Sequence, residues 1–152
     1  MPMGQLTGEF PHTMDAKGRV KLPAVWEREL GDRFMVTRGT GKMLFIFSMP
    51  QWEVFTQKLM ELPMMDPQAQ ALRRIFGSGA RECEVDKQGR FLIPQRLREY
   101  AGLQKDVIIA GAFTWGEIWN AQDWKAYDEQ YADGAGEDFM QLMQSVTQKF
   151  SL

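Results

Sequence analysis

The stretch that decides the fold occurs twice in the chain. Residues 15–23 read Asp-Ala-Lys-Gly-Arg-Val-Lys-Leu-Pro, and residues 86–94 read Asp-Lys-Gln-Gly-Arg-Phe-Leu-Ile-Pro. The aspartate, glycine, arginine and proline recur at a constant offset of 71 positions. Flanking residues recur in the same order at offsets of 71 or 72, namely Gly8 with Gly79, Ile46 with Ile118 and Trp52 with Trp124. Ordered matches on both sides of a motif indicate a tandem duplication.

Each copy of the motif predicts a strand, a tight turn and a return strand. Before the first motif, Phe10, His12 and Met14 alternate with more polar neighbours, which is the period of a half-buried strand. Asp-x-x-Gly fits a type I turn, because the aspartate accepts backbone N–H bonds and the glycine adopts a positive φ without strain. Val20 and Leu22 of the return strand are then directed toward the core. The motif therefore predicts a β-hairpin with a G1 bulge in each repeat.

The rest of the chain divides around these motifs. A short helix follows each motif proline and ends at a glycine, Gly31 or Gly102, and a further hairpin and helix complete each repeat. We predict a first module over residues 7–54, a helical connector over 55–77, a second module over 78–127 and an amphipathic helical region over 128–152. Phe139, Leu142 and Phe150 lie on the apolar side of that last helix.

Charge is distributed unevenly along the chain. The net charge is −2, but residues 117–152 hold seven acidic and two basic side chains, so residues 1–116 carry +3. A nucleic-acid partner responds to a local basic face and not to the charge of the whole chain. No apolar run approaches the roughly 18 residues that cross a bilayer, and the first residues predict no signal peptide. With a single cysteine in the chain, we expect a cytosolic protein without an intrachain disulfide.

Catalysis and metal binding find little support in the sequence. The only histidine and the only cysteine, His12 and Cys83, occupy equivalent positions in the two repeats, where both are interpreted as packing residues. Two such residues fall short of the usual four zinc ligands, and no glycine-rich phosphate loop is present. We therefore predict that the protein is not an enzyme, and we assign no catalytic residue, no metal ligand, no cofactor and no small-molecule substrate.

The chain resembles the MraZ family. The resemblance covers nearly everything from Gly8 to about Tyr127 and rests on order and spacing in both copies. Beside the two motifs, the matching segments are Glu9-Phe10, His12-Thr13, Leu22-Pro23-Ala24, Glu61-Leu62-Pro63, Arg73-Arg74-Ile75-Phe76, Ser78-Gly79-Ala80 and Tyr100-Ala101-Gly102-Leu103. The sequence departs from the family pattern at residues 2–5 and at Gln88, which stands where the first copy has Lys17.

The resemblance implies a fold and a function. The fold would be α+β and mainly β, a pseudo-twofold double-split or swapped-hairpin β-barrel of the AbrB/SpoVT type, with flanking helices. The function would be sequence-specific binding of double-stranded DNA, at repeated promoter boxes of the bacterial division and cell-wall gene cluster, including the protein's own promoter. The protein would act as a homo-oligomeric closed ring in the cytoplasm and at the nucleoid. Lys21, which follows Arg19 within the first motif, is added to the residues that the resemblance implies. The candidate DNA-binding residues are therefore Asp15, Lys17, Arg19, Lys21, Asp86, Lys87 and Arg90.

Structural roles compete with DNA contact at these positions. Asp15 and Asp86 can hold the turn by bonding to their own arginines, and both roles stay open for them. For Arg19 and Arg90 we favour DNA contact, because arginine reads guanine with two hydrogen bonds and grips phosphate. The other candidate cations are interpreted as phosphate contacts or solvated charges, namely Lys17, Lys21, Arg28 and Lys42 in the first copy and Lys87, Arg96 and Arg98 in the second. Arg73 and Arg74 are interpreted as helix surface or subunit contact, and the tryptophans as core and interface.

Two other functions remain open at this stage. The ring could be an interaction or scaffold protein that recruits a partner through its C-terminal helix, and it could bind RNA. Steep salt dependence of nucleic-acid binding separates a DNA-binding protein from a scaffold. Competition between double-stranded DNA and single-stranded RNA tests the RNA alternative.

Overall fold

The computed structural model describes residues 4–131 and 137–150. Its eight strands are β1 (Glu9–Thr13), β2 (Arg19–Lys21), β3 (Arg33–Arg38), β4 (Leu44–Ser48), β5 (Arg81–Glu84), β6 (Arg90–Leu92), β7 (Asp106–Gly111) and β8 (Gly116–Asn120). Its helices are α1 (Glu27–Leu30), which follows a 3₁₀ turn at Ala24–Trp26, α2 (Met49–Met60), α3 (Pro67–Gly79), α4 (Gln95–Ala101), α5 (Ala121–Tyr131) and α6 (Glu137–Phe150). Two compact units are present, one up to Asn120 and one from Ala121 onward.

The strands form two antiparallel sheets in which the repeats exchange partners. The larger sheet has the order β1-β7-β8-β4-β3-β5, and β2 pairs only with β6 in a second, two-stranded sheet. Strand β1 of the first repeat thus lies on β7 of the second, and β5 of the second repeat lies on β3 of the first. The predicted pairing of the two strands on either side of each motif turn, β1 with β2 and β5 with β6, is therefore wrong. The turn is present, but the two strands that it joins continue into different sheets.

One hydrophobic core serves both repeats. Its residues come in equivalent pairs, including Val20 with Phe91, Leu22 with Ile93, Trp26 with Leu97 and Val36 with Val107. Phe34 of β3 meets Phe91 of β6 edge to face, with 5.1 Å between the ring centroids. Trp26 is 1% exposed, and its indole Nε1 donates a hydrogen bond to the carbonyl of Thr7. Neither repeat has a complete core of its own, because each supplies about half of the buried side chains.

A second, smaller cluster packs on the opposite face of the sheet. Strand β4 directs Leu44 and Ile46 into the shared core and Phe45 and Phe47 to the other face, as its period of two requires. Helices α2 and α3 cover this second face, and Phe76 of α3 stacks against Phe45. The partly buried Trp52, Trp115 and Trp119 pack here, which confirms that these tryptophans are core residues.

Two parts of the predicted architecture need correction or refinement. Helices α2, α3, α5 and α6 each span 11 to 14 residues whereas the strands span three to six, so the fold is mixed α/β and not mainly β. The six-stranded sheet ends at β1 on one side and β5 on the other, so it is not a closed barrel. The predicted β3–β4 and β7–β8 hairpins and the predicted helices are confirmed.

Candidate nucleic-acid interface

Both motifs form the same tight turn. In the first, Asp15 Oδ1 accepts hydrogen bonds from the backbone amides of Lys17 and Arg19, at 3.0 and 2.9 Å. The Gly18 amide bonds to the Asp15 carbonyl, and Gly18 has a φ of 91°, which favours a residue without a Cβ. The second turn repeats these bonds, with Asp86 Oδ1 accepting from the amides at positions 88 and 90, both at 2.9 Å. The turn chemistry predicted from Asp-x-x-Gly-Arg is confirmed in both copies.

The Asp15 carboxylate brings the two motif arginines together. Arg19 Nε donates to Asp15 Oδ2 at 2.8 Å, and Arg90 Nη1 of the other repeat lies 3.7 Å from the same oxygen. Arg90 Nε also lies 3.4 Å from Asp86 Oδ2. One negative charge therefore holds two guanidinium groups beside each other and offsets their mutual repulsion.

The turn aspartates are stabilised in their charged form. The backbone amide of Arg19, together with the Arg19 side chain and the amide of Lys17, lowers the pKa of Asp15 below its usual value. The backbone amide of Arg90, followed by that of Gln88 and the charge of Arg90, lowers the pKa of Asp86. Both carboxylates are thus ionised near neutral pH, and each lies beside a guanidinium group.

The two-stranded sheet β2–β6 presents one outward face. Val20 and Phe91 are paired and buried, so their neighbours in the strands share the opposite face. On that face Arg19 is paired with Leu92, and Lys21 is paired with Arg90. Three of the four outward positions are therefore basic. A two-stranded antiparallel ribbon with basic side chains on one face has dimensions that the major groove of B-DNA admits.

The remaining predicted residues lie around this face. Lys17 and Lys87 are exposed in the two turns. Arg98 of α4 lies against Gly18 of the other repeat and donates from Nε to the Ile93 carbonyl. Lys105 joins Arg98 in lining a surface depression beside Asp15. From the sequence, Arg98 is predicted only as a phosphate contact or a solvated charge, and Lys105 and Leu92 are not predicted, because their place depends on the pairing between repeats.

Comparison with known proteins identifies the relatives of this chain. The MraZ protein family, whose description also calls it antitoxin-like, matches residues 5–75 and again residues 76–144. The chain belongs to the MraZ family. The transcriptional regulator MraZ of Caldicellulosiruptor saccharolyticus is 51% identical over 120 residues, which are 79% of this chain and 84% of that protein. The transcriptional regulator MraZ of Symbiobacterium thermophilum is 45% identical over 139 residues, which are 91% of this chain and 98% of that protein.

Other sites considered from the sequence have structural roles in this MraZ family member. The Arg73 guanidinium donates to four carbonyls at the end of α2 and in the turn before α3, those of Leu59, Leu62, Pro63 and Met64. Burial raises the pKa of the Cys83 thiol to about 12, and the charge of Glu82 contributes. Among residues 4–131 and 137–150, we find no group of three acidic, histidine or cysteine side chains that could hold a metal ion. No helix in these same ranges is long and apolar enough to cross a membrane.

Proposed function

We propose that this chain is a transcriptional regulator that binds double-stranded DNA through the outward face of β2–β6. The observation that carries the proposal is the meeting of Arg19 and Arg90 at Asp15 Oδ2, beside the exposed Lys21. Guanidinium groups held by a carboxylate are pre-oriented, so less side-chain entropy is lost when they bind guanine or phosphate. The name of the relatives, transcriptional regulator MraZ, supports the same function.

The finer parts of the proposal come from the family resemblance. We propose that Asp15 and Asp86 position the arginines, that Arg19 and Arg90 contact bases, and that Lys17, Lys21 and Lys87 contact phosphates. The target would be repeated boxes upstream of the division and cell-wall genes, including the protein's own promoter. A closed homo-oligomeric ring would present several such faces to repeated boxes, which multiplies weak individual contacts by roughly 10²–10⁴.

Further proposals concern organisation and location. We retain the division into modules 7–54 and 78–127, the connector 55–77 and the region 128–152. We also propose that the exchange of strands between the repeats is the swapped-hairpin arrangement that the family resemblance implies. A regulator of this kind would act in the cytoplasm at the nucleoid. It would need no cofactor and would carry out no catalysis.

The test is fluorescence anisotropy with a probe of repeated boxes and a scrambled probe of the same composition, at two salt concentrations. Wild type is compared with Arg19→Ala and Arg90→Ala. Arg33→Ala is the matched control, because Arg33 pairs with Glu82 and Glu84 on the larger sheet and not with the motifs. We expect each motif variant to lose about 5- to 150-fold in affinity for the specific probe, corresponding to about 1–3 kcal/mol for a bidentate contact.

The oligomer of each variant is checked on a sizing column. Wild-type affinity should fall steeply with salt, with a log–log slope of about −0.9 for each phosphate contacted. Equal binding of both probes, unchanged in Arg19→Ala and Arg90→Ala, would show that the motif arginines stabilise the turns and do not contact DNA.

A second candidate function rests on a different observation. Helix α6 exposes apolar side chains along its length, namely Phe139, Met140, Leu142, Met143 and Phe150. Such a stripe supports the proposal that the chain is an interaction or scaffold protein. Binding to DNA that is weak, insensitive to salt and indifferent to sequence would favour this second function.

A further inference from the structure

The outward face of β2–β6 is chemically unequal although its backbone is nearly symmetric. Arg19 and Arg90 are equivalent in the two repeats, but Lys21 corresponds to Leu92. Leu92 is 52% exposed and lies directly across from Arg19. The first repeat thus contributes two cations to this face, and the second contributes one cation and one apolar side chain.

The two turns also differ in the charged side chains that surround them. Arg98 lies against Gly18 of the first turn, with its Cζ 2.6 Å from the position that a Cβ would take there. At Gly89 of the second turn, the nearest side chains to that position are Lys21 and the carboxylate of Glu27, both at 3.8 Å. Glu27 is the repeat equivalent of Arg98, and Glu27 lines a depression beside Asp86. Arg19 and its partner Leu92 lie at the end of the face next to the first turn, because Arg19 directly follows Gly18. The end of the face that carries Leu92 therefore has the more basic surroundings.

We propose that Leu92 is a specificity-determining residue that contacts the 5-methyl group of a thymine in the major groove. This inference rests on the proposed DNA-binding function. The thymine lies in or next to the base pair that Arg19 contacts, because opposite side chains of an antiparallel pair are about 5 Å apart and successive bases about 3.4 Å. The single leucine also fixes the orientation of the face on its DNA site. A rotation of the protein by 180° that exchanges the two repeats would place Lys21, and not Leu92, against the methyl group.

Thymine is the target because of what a leucine can bind in the groove. Phosphate oxygens and the edges of guanine, cytosine and adenine offer charges, acceptors and donors, none of which a leucine satisfies. The thymine methyl is the apolar group that the major groove presents. Its burial against a leucine is worth about one methylene group of transfer free energy, which corresponds to about a fourfold change in affinity.

The experiment uses a duplex selected by the wild-type protein from a random-sequence pool. Each thymine of that duplex is replaced singly by uracil, which removes only the 5-methyl group. Affinities are measured for wild type, Leu92→Ala, Leu92→Lys and Arg19→Ala. Met65→Ala is the control, because it truncates another exposed apolar side chain (81% exposed) in the turn between α2 and α3.

The expected result is a coupling between one thymine and Leu92. One uracil replacement weakens the binding of wild type and of Met65→Ala about fourfold, but leaves the binding of Leu92→Ala unchanged. Leu92→Lys, which copies the residue of the first repeat, binds unselected DNA more tightly and loses its preference for one orientation of the site.

Three results separate the possible failures. Uracil effects that are the same in wild type and Leu92→Ala would overturn the assignment of Leu92 while leaving the proposed function intact, provided that Arg19→Ala loses binding. Dissociation of the oligomer in Leu92→Ala would make Leu92 a subunit contact and would also overturn it. A pool that yields no preferred sequence, with Arg19→Ala binding like wild type, would refute the proposed function itself and with it this inference.

Discussion

Replacing Gly116 by alanine tests whether the two repeats share one core. Gly116 begins β8 of the second repeat, and Trp26 of the first repeat covers it. A Cβ at position 116 would lie 2.6 Å from Trp26 Cζ3 and 2.9 Å from Cη2, closer than side chains approach one another. The indole has little freedom to move, because its Nε1 bonds to Thr7 at 2.9 Å and its ring meets Phe10 edge to face at 5.7 Å.

The cost follows from this geometry. Ordinary carbon contacts begin near 3.5 Å, so the ring must shift by roughly 1 Å. Inserting one methyl group into a well-packed core costs about 1–3 kcal/mol. We expect Gly116→Ala to lower the free energy of unfolding by that amount, and to lower the Tm by about 2–4 °C for each kcal/mol in a chain of this size.

The assay is urea denaturation of wild type, Gly116→Ala and Gly77→Ala at matched protein concentration. Gly77 is an exposed residue of α3 where a Cβ meets nothing within 4 Å, so alanine there should stabilise the protein by about 0.5–1 kcal/mol. Both changes add the same methyl group and differ in what surrounds it. If Gly116→Ala were as stable as wild type while Gly77→Ala behaved as expected, Trp26 would not pack on β8 as described.

Three further predictions concern single side chains. Burial, and then the charge of Lys21, lowers the pKa of His12 below 6.5, so the unfolded chain takes up this proton first as the pH falls. The contribution of neutral His12 to the free energy of unfolding should therefore be fully present above about pH 6.5 and should be lost as the pH falls toward the lower pKa of the folded state. In His12→Leu, the decline of the free energy of unfolding between pH 7.5 and 5.5 should be smaller. An unchanged slope in urea titrations would contradict the assignment, since His12 is the only histidine in the chain. Cys83, buried and with a pKa raised to about 12, should react with a thiol reagent at neutral pH far more slowly in the native protein than in urea, and equal rates would show that it is exposed. Arg73→Ala should lower the free energy of unfolding by about 1–3 kcal/mol through loss of its hydrogen bonds to backbone carbonyls, whereas the exposed Arg74→Ala should change it little. Equal stability of these two variants would remove the structural role of Arg73.

The local parts of the fold could be predicted because their signals are local. The alternation around His12 marks a strand, and Asp15 and Gly18 make a turn through bonds within five residues. Each of these signals needs only neighbours in sequence. The elements were accordingly confirmed, with only small differences at their ends.

Strand partners could not be predicted from the residues in the same way. Alternation shows which side of β1 is buried, but it does not distinguish β2 from β7 as the partner strand. The predicted hairpin pairs β1 with β2, the nearest strand in sequence, whereas the structure pairs Phe10 of β1 with Ile109 of β7. The site was affected for the same reason. Arg19 and Lys21 share a face by the period of the strand alone, but Leu92 and Arg90 join them only through the pairing of β2 with β6.

The pairing of β1 with β7 also has a consequence for how the protein is made. When the first repeat leaves the ribosome, the partner of β1 has not yet been synthesised, because Glu9 pairs with Ala110. At 5–20 residues per second, the first strand waits about 5–20 s for that partner. During this time its apolar side and the unpaired edge of β3 are open to other nascent chains. The shared core therefore closes only after β7 of the second repeat has been synthesised, so one copy of the duplicated unit cannot complete it alone.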